Sequence, residues 1–194
     1  MRRYTGLPWS GGGDETWAWR FFDAVPDSVP DALQPIDVLA ATALGAGPSP
    51  ADLVWFWQQQ GEIDAFLQAV PAHAHLESAE ERILARVREL PAILIPSTTV
   101  TLSLLTKVLH RKRPALIPLL DKAVLEQYRH LVPERGSGAA WPHLLDALRA
   151  DLVLNRQPLA QVAAALTPRL PTPPSPLRII DIIIWMASQS RRTR

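Results

Sequence analysis

Nineteen of the 194 residues are proline, about twice the ~5% share of an average chain. A proline fixes φ near about −65° and donates no backbone hydrogen bond, so it opens a helix or ends one and rarely sits within it. Stops at this density leave room for many short elements joined by rigid corners. The apolar spacing between them is helical: "QPIDVLAATALGAG" predicts a short helix with Pro35 in first position and Gly45 or Gly47 ending it. In "SPADLVWFWQQQGEIDAFLQAV", Ser49 caps, Pro50 follows, Asp52 sits in the first turn, and Leu53, Val54 and Trp57 form the apolar stripe, with Gly61 a point of division. "SAEERILARVREL" reads as a helix with a Ser78/Glu81 capping box and Ile83, Leu84, Val87 and Leu90 on one face.

Further along, "TTVTLSLLTKVLHRK" keeps Val100, Leu104, Leu105, Val108 and Leu109 at helical spacing, and residues 117 to 132 place Leu120, Val124, Tyr128 and Leu131 on one stripe. "WPHLLDALRADLVLN", "PLAQVAAAL" and "SPLRIIDIIIWMASQSRR" complete the set, the last opening at Ser175 and Pro176. It is apolar nearly all round, with Arg178, Asp181, Trp185 and Ser188 as its polar strip, which places it at the centre of the core. No run of alternating strands competes. The expectation is an all-α fold: a single multi-helix domain of about seven or eight helices over 17–190, after a flexible leader (1–16) and before a basic tail (191–194). "WAWRFFDAV" adds aromatics to the core as strand or helix.

Composition removes whole classes of function. The chain has no cysteine, so disulfides, thiol nucleophiles and cysteine-based zinc sites are excluded. A formal net charge of +1 is far from the strongly basic balance of a dedicated nucleic-acid binder, so such contact must come from a local patch. The N-terminus lacks the apolar segment of a signal peptide, and "IIDIIIWMA" falls short of the ~20 apolar residues of a membrane span. A cytoplasmic protein with no membrane partner is the expectation. His73 and His75 stand without a third ligand, so no metal is expected, and no motif calls for a cofactor. "SGGGD" and "RGSG" lack the strand, helix and lysine of a phosphate loop and read as turns.

Two constellations remain. His110, Arg111, Lys112 and Arg113 form a basic run before Pro114. As punctuation they are cations favoured at a helix C-terminus; as a site they would contact phosphate. Asp121, after Pro118, is likewise either a first-turn acid or a carboxylate with a chemical role. Arg178 and Asp181, at i and i+3, read as a structural ion pair or, with Asp121 and Trp185, as the lining of a polar pocket.

"KRPALIPLLD" (112–121) and "LRIIDIIIWM" (177–186) resemble the paired motifs Lys-Arg-Pro-x-Leu-Ile-Pro-x-x-Asp and Leu-Arg-x-x-Asp-x-x-x-Trp-Met of an uncharacterised bacterial family, a domain of unknown function. "RPALIPLLD" is also distantly similar to the corner that precedes the catalytic helix in the helix-hairpin-helix DNA glycosylase superfamily. That similarity implies a glycosylase-like helical scaffold, puts Asp121 in the place of the catalytic carboxylate, and implies DNA or RNA as partner. The segment before the helix, "LIPSTTVTLS", carries no glycine, unlike the phosphate-binding hairpin of that superfamily. Two readings of function therefore stand: a nucleic-acid-associated helical protein, or a non-catalytic module that binds another protein. Whether the chain is an enzyme stays open.

Overall fold

The computed structural model describes residues 22–23, 25, 29–93, 99–131, 137–167 and 173–192. Among them there are helices and no strand, packed around one large apolar core, with Phe22, Ala40 and Leu119 in a second, smaller cluster. The leader expected over 1–16, and most of "WAWRFFDAV", lie outside the described residues; Phe22 and Asp23 are helical, and Phe22 is buried.

Helix starts follow cap chemistry closely. α1 (Pro35–Ala40) begins on its proline, and the Asp37 carboxylate reaches back to accept from Gln34 N at 2.9 Å. A 3₁₀ turn, Ala41–Leu44, follows and is closed by Gly45 at φ 70°, a left-handed position that favours glycine. α2 (Pro50–Gln58) opens on Ser49, with Asp52 N donating to Ser49 Oγ and Ser49 N donating to Asp52 Oδ2. α3 (Gln60–Ala69) begins one residue after α2 ends, so the division falls at Gln59 rather than Gly61. α4 (Glu81–Arg88) carries Ile83, Leu84 and Val87 inward, as the sequence predicts. The Ser78/Glu81 capping box does not form: Ser78 lies in a turn, its N–H donating to His75 O, and the helix begins behind Glu80.

α5 (Leu90–Ile93) is a single turn. α6 (Leu102–Lys112) starts at Thr101, whose hydroxyl accepts from Leu104 N, and nine of its eleven residues are buried. The expected helix over 117–132 shortens to α7 (Lys122–Gln127), because Asp121 takes the N-cap position, accepting from Val124 N at 2.8 Å. Before it, Leu116 to Leu120 run as a buried corner, with Leu120 N donating to Thr106 Oγ1. α8 (Ser137–Leu154), α9 (Arg156–Leu166) and α10 (Pro176–Arg192) follow. α10 includes the first two residues of the expected basic tail.

α6 is the axis of the domain. α1 packs against it, and the core continues through Ile63 and Leu67 of α3 to Trp141, Leu144 and Leu148 of α8. The Trp141 indole N–H donates to Val87 O at 2.7 Å, joining α8 to α4. α10 packs against α7, α8 and α9, with Leu177, Ile179, Ile180, Ile182 and Ile184 buried. No helix among the described residues is long and apolar enough to cross a membrane.

Candidate functional site

The basic run at the end of α6 is not a solvated helix end. Each of its four side chains is buried. Arg111 pairs with Asp37 at 3.1 Å and donates to the carbonyls of Phe22 and Val25. Lys112 pairs with the other oxygen of the same carboxylate at 2.7 Å and donates to Val29 O. Arg113, with no exposed surface, donates Nε–H to Val70 O, its Nη1 to Pro30 O and Lys112 O, and its Nη2 to Leu67 O and Asp31. Leu67 and Val70 stand at the C-terminal end of α3, so this guanidinium caps carbonyls that a helix end leaves without intrahelical partners. Contact with phosphate requires these groups at the surface, and here they are spent inside. The physical reason is that a cation is kept in a core only when paired and hydrogen-bonded, and both conditions are met.

His110 shares that burial. Its Nδ1 lies 2.6 Å from Ile117 O, an acceptor only, so Nδ1 carries the hydrogen. Burial first, then the nearby Arg178 and Arg111 charges, lower its pKa to about 3 against the opposing effect of the Ile117 carbonyl, and the ring is neutral at physiological pH. Phe22 stacks on it at 6.2 Å, with the guanidinium carbons of Arg111 and Arg178 5.7 and 5.4 Å from the same phenyl centroid.

In the second constellation Arg178 and Asp181 form the ion pair, while neither concavity described below is lined by Asp121, Arg178, Asp181 or Trp185. Arg178 donates to Asp181 within α10 and, through Nε and Nη2, to both oxygens of Asp23 at 3.2 and 3.3 Å. Asp181 is 6% exposed; burial raises its pKa to about 7, Asp121 and Asp23 push the same way, and Arg178 opposes them. Lys107 of α6 is 8% exposed and donates to Ser103 Oγ at 3.2 Å. Desolvation lowers its pKa, partly offset by the charges of Asp121 and Asp181. Asp121, half-buried, thus faces Lys107 and Asp181 electrostatically while its Oδ1 serves as the α7 cap. Trp185 lies one turn beyond Asp181, half-buried, with the Ser188 hydroxyl bonded to its carbonyl. No group of three or more His, Asp or Glu among the described residues is arranged to hold a metal.

Two concavities lie elsewhere, and the sequence reading does not find them. One, of ≈ 510 Å³, runs between α1, α2 and α3 and is walled by Leu33, Val38, Leu39, Leu53, Phe56 and Trp57. The Leu53, Val54 and Trp57 stripe expected in the core faces outward here, and Trp57 is 74% exposed. The buried face of α2 is Asp52, Trp55 and Phe56 instead. The other, of ≈ 260 Å³, lies where Tyr128, the α8/α9 junction and α10 meet.

Fold and site define a small helical protein with a set of charged side chains, Asp37, Lys107, Arg111, Lys112, Arg113, Arg178 and Asp181, buried within it. The chain belongs to DUF6308, a family of unknown function whose model matches residues 1–188. No curated protein and no solved structure matches the chain, and the glycosylase likeness has no counterpart among these comparisons.

Proposed function

We propose that this protein is a non-catalytic protein-interaction module, and that its docking face is the groove between α1, α2 and α3. The observation that carries the reading is the outward stripe of α2. Leu39, Leu53, Val54 and Trp57 are all exposed beside an apolar groove, and burying a side chain of this size is worth roughly 1.5 to 3 kcal/mol. Contiguous apolar surface of this kind marks a contact face more often than a solvated one. A groove bordered by helices suits an amphipathic helix with anchors at i, i+3, i+4 and i+7.

Charge selects the kind of partner. From residue 29 to residue 81 there is no Lys or Arg, while Glu62 and Asp64 are acidic; Asp31 and Asp37 are already paired with Arg113, Arg111 and Lys112. Asp64 stands at the end of the groove, accepting from Leu33 N at 2.6 Å, and Glu62 is exposed nearby in sequence. The fitting partner therefore presents an apolar helical face flanked by Lys or Arg.

Two synthetic amphipathic peptides test this, identical in their apolar face and carrying Lys or Glu on the flanks. The expected result is a Trp57-dependent fluorescence change with the Lys peptide, about tenfold tighter than with the Glu peptide, and its loss in Trp57→Ser. Equal binding of both peptides, or binding by Trp57→Ser as by wild type, overturns the proposal. So does a concentration-dependent dimer that Trp57→Ser dissolves, since the groove would then hold a second copy. Binding of single-stranded, duplex or abasic oligonucleotides at about 10 µM protein and about 50 mM salt, with neither peptide bound, would favour the nucleic-acid reading instead.

A further inference from the structure

The smaller concavity has a polar mouth with an unusual bias. Tyr128 is almost fully buried at the end of α7, and its hydroxyl donates to Asp151 Oδ2 at 2.6 Å. Burial and that bond raise the phenol pKa, which keeps the hydroxyl a donor. Asn155, at the α8/α9 junction, donates its side-chain N–H to Asp151 O at 2.9 Å. The Tyr128 hydroxyl and one Asn155 N–H are thus turned onto Asp151. Beyond these, the polar groups lining the pocket are the second carboxylate oxygen of Asp151 and the amides of Asn155 and Gln127, each of which carries both an acceptor oxygen and N–H donors.

Asp151 has no ion-pair partner among the described residues, and no Lys, Arg or His lines the pocket. The walls behind it are apolar: Leu159 and Val162 from α9, Ile180 and Ile184 from α10, with Ile183 46% exposed at the edge. A ligand that satisfies this site must bring donors and positive charge at one end and a compact apolar body at the other. An anion would meet the carboxylate with no cation to receive it. At ≈ 260 Å³ the space is just below the ~300 Å³ lower bound for drug-sized ligands, so the body is fragment-sized.

We infer that this pocket binds a small apolar amine in its ammonium form, the ammonium held by Asp151 and Asn155 and the hydrocarbon by Leu159, Val162, Ile180 and Ile184. The inference is independent of the docking groove, which lies on different helices.

The test titrates the full chain with cyclohexylmethylamine and, separately, with its neutral isostere cyclohexylmethanol at pH 7, by calorimetry and by methyl NMR of Ile180 and Ile184. The expected result is saturable amine binding that shifts both methyl sets, with the alcohol weaker by about tenfold or more, the cost of losing a charge-assisted bond. Asp151→Asn should weaken the amine by a similar factor and leave the alcohol unchanged. Val162→Phe, which fills the pocket and leaves the carboxylate in place, should abolish binding of both; it also serves if Asp151→Asn does not fold. Equal affinity for amine and alcohol, unmoved Ile180 and Ile184 methyls at saturating amine, or unchanged amine binding by Val162→Phe would each overturn the inference.

Discussion

Replacing Arg113 by lysine preserves the charge and should still unfold a large part of the molecule's stability margin. The guanidinium directs five N–H groups at five acceptors: Leu67 O, Val70 O, Pro30 O, Lys112 O and Asp31 Oδ1. A lysine ammonium has three donors on a point charge, so at least two acceptors lose their partner. Each buried acceptor left bare costs about 1–3 kcal/mol, which gives roughly 2–6 kcal/mol for the pair. Set against a typical total of about 5–15 kcal/mol, that is a severe loss. Arg113→Met removes every donor and should lie at or beyond the upper part of that range, while Asp31→Asn is the control: its side chain is 60% exposed, and an exposed partner contributes at most about 1 kcal/mol. Urea unfolding followed by tryptophan fluorescence reads the effect directly. With a slope of about 2 kcal/mol/M, the Arg113→Lys midpoint should fall by about 1–3 M. A midpoint within about 0.3 M of wild type would refute the assignment of Arg113 as a structural clasp and would return it to the surface as a free cation.

Asp181 predicts that stability falls as pH rises. Its carboxyl has an ordinary value of 3.8 and a folded value of about 7, so between these the folded state holds the extra proton; the contribution is complete below about pH 4 and lost as pH rises through about 7. Asp181→Asn should flatten that segment of the stability profile, measured by urea midpoints from pH 4 to 8. His110 predicts the opposite slope: its folded value of about 3 lies below 6.5, so its contribution is present above about pH 6.5 and lost as pH falls toward 3, and His110→Gln should remove that acid-side loss. Trp57→Ser should change stability by no more than about 0.5 kcal/mol, as expected of an exposed side chain, while abolishing the Lys-peptide response.

Where a structural cause lies within a few residues, the sequence discloses it. Ser49, Pro50 and Asp52 announce the start of α2 and Gly45 the end of the turn after α1, while Asp121, read as a first-turn acid of a helix from 117, is instead the cap in front of α7. Where the cause is distant, local pattern misleads. Arg111 to Arg113 read as a solvated helix end because their partners Asp37, Phe22 O and Val70 O stand 43 to 89 residues away in sequence. In α2, both Leu53–Val54–Trp57 and Trp55–Phe56 are apolar, so periodicity offers two faces, and only packing against α1 and α3 decides between them. The approach of Asp121 to Asp181 and Lys107 follows from α7 lying beside α10, which the paired motifs suggest without fixing the geometry. Tyr128 and Asp151 belong to different helices, and no local signal links them.

Three consecutive residues at the end of α6 reach backbone carbonyls of Phe22, Val25, Val29, Pro30, Leu67 and Val70 and the carboxylates of Asp31 and Asp37. Segments far apart in the chain are thereby tied to one turn of one helix. None of them can open alone without stranding a buried charge, so the N-terminal part and α6 should behave as one cooperative unit in native-state hydrogen exchange. The amides around Val70 and those of the last turn of α6 should share a single opening free energy, although more than forty residues of sequence separate them.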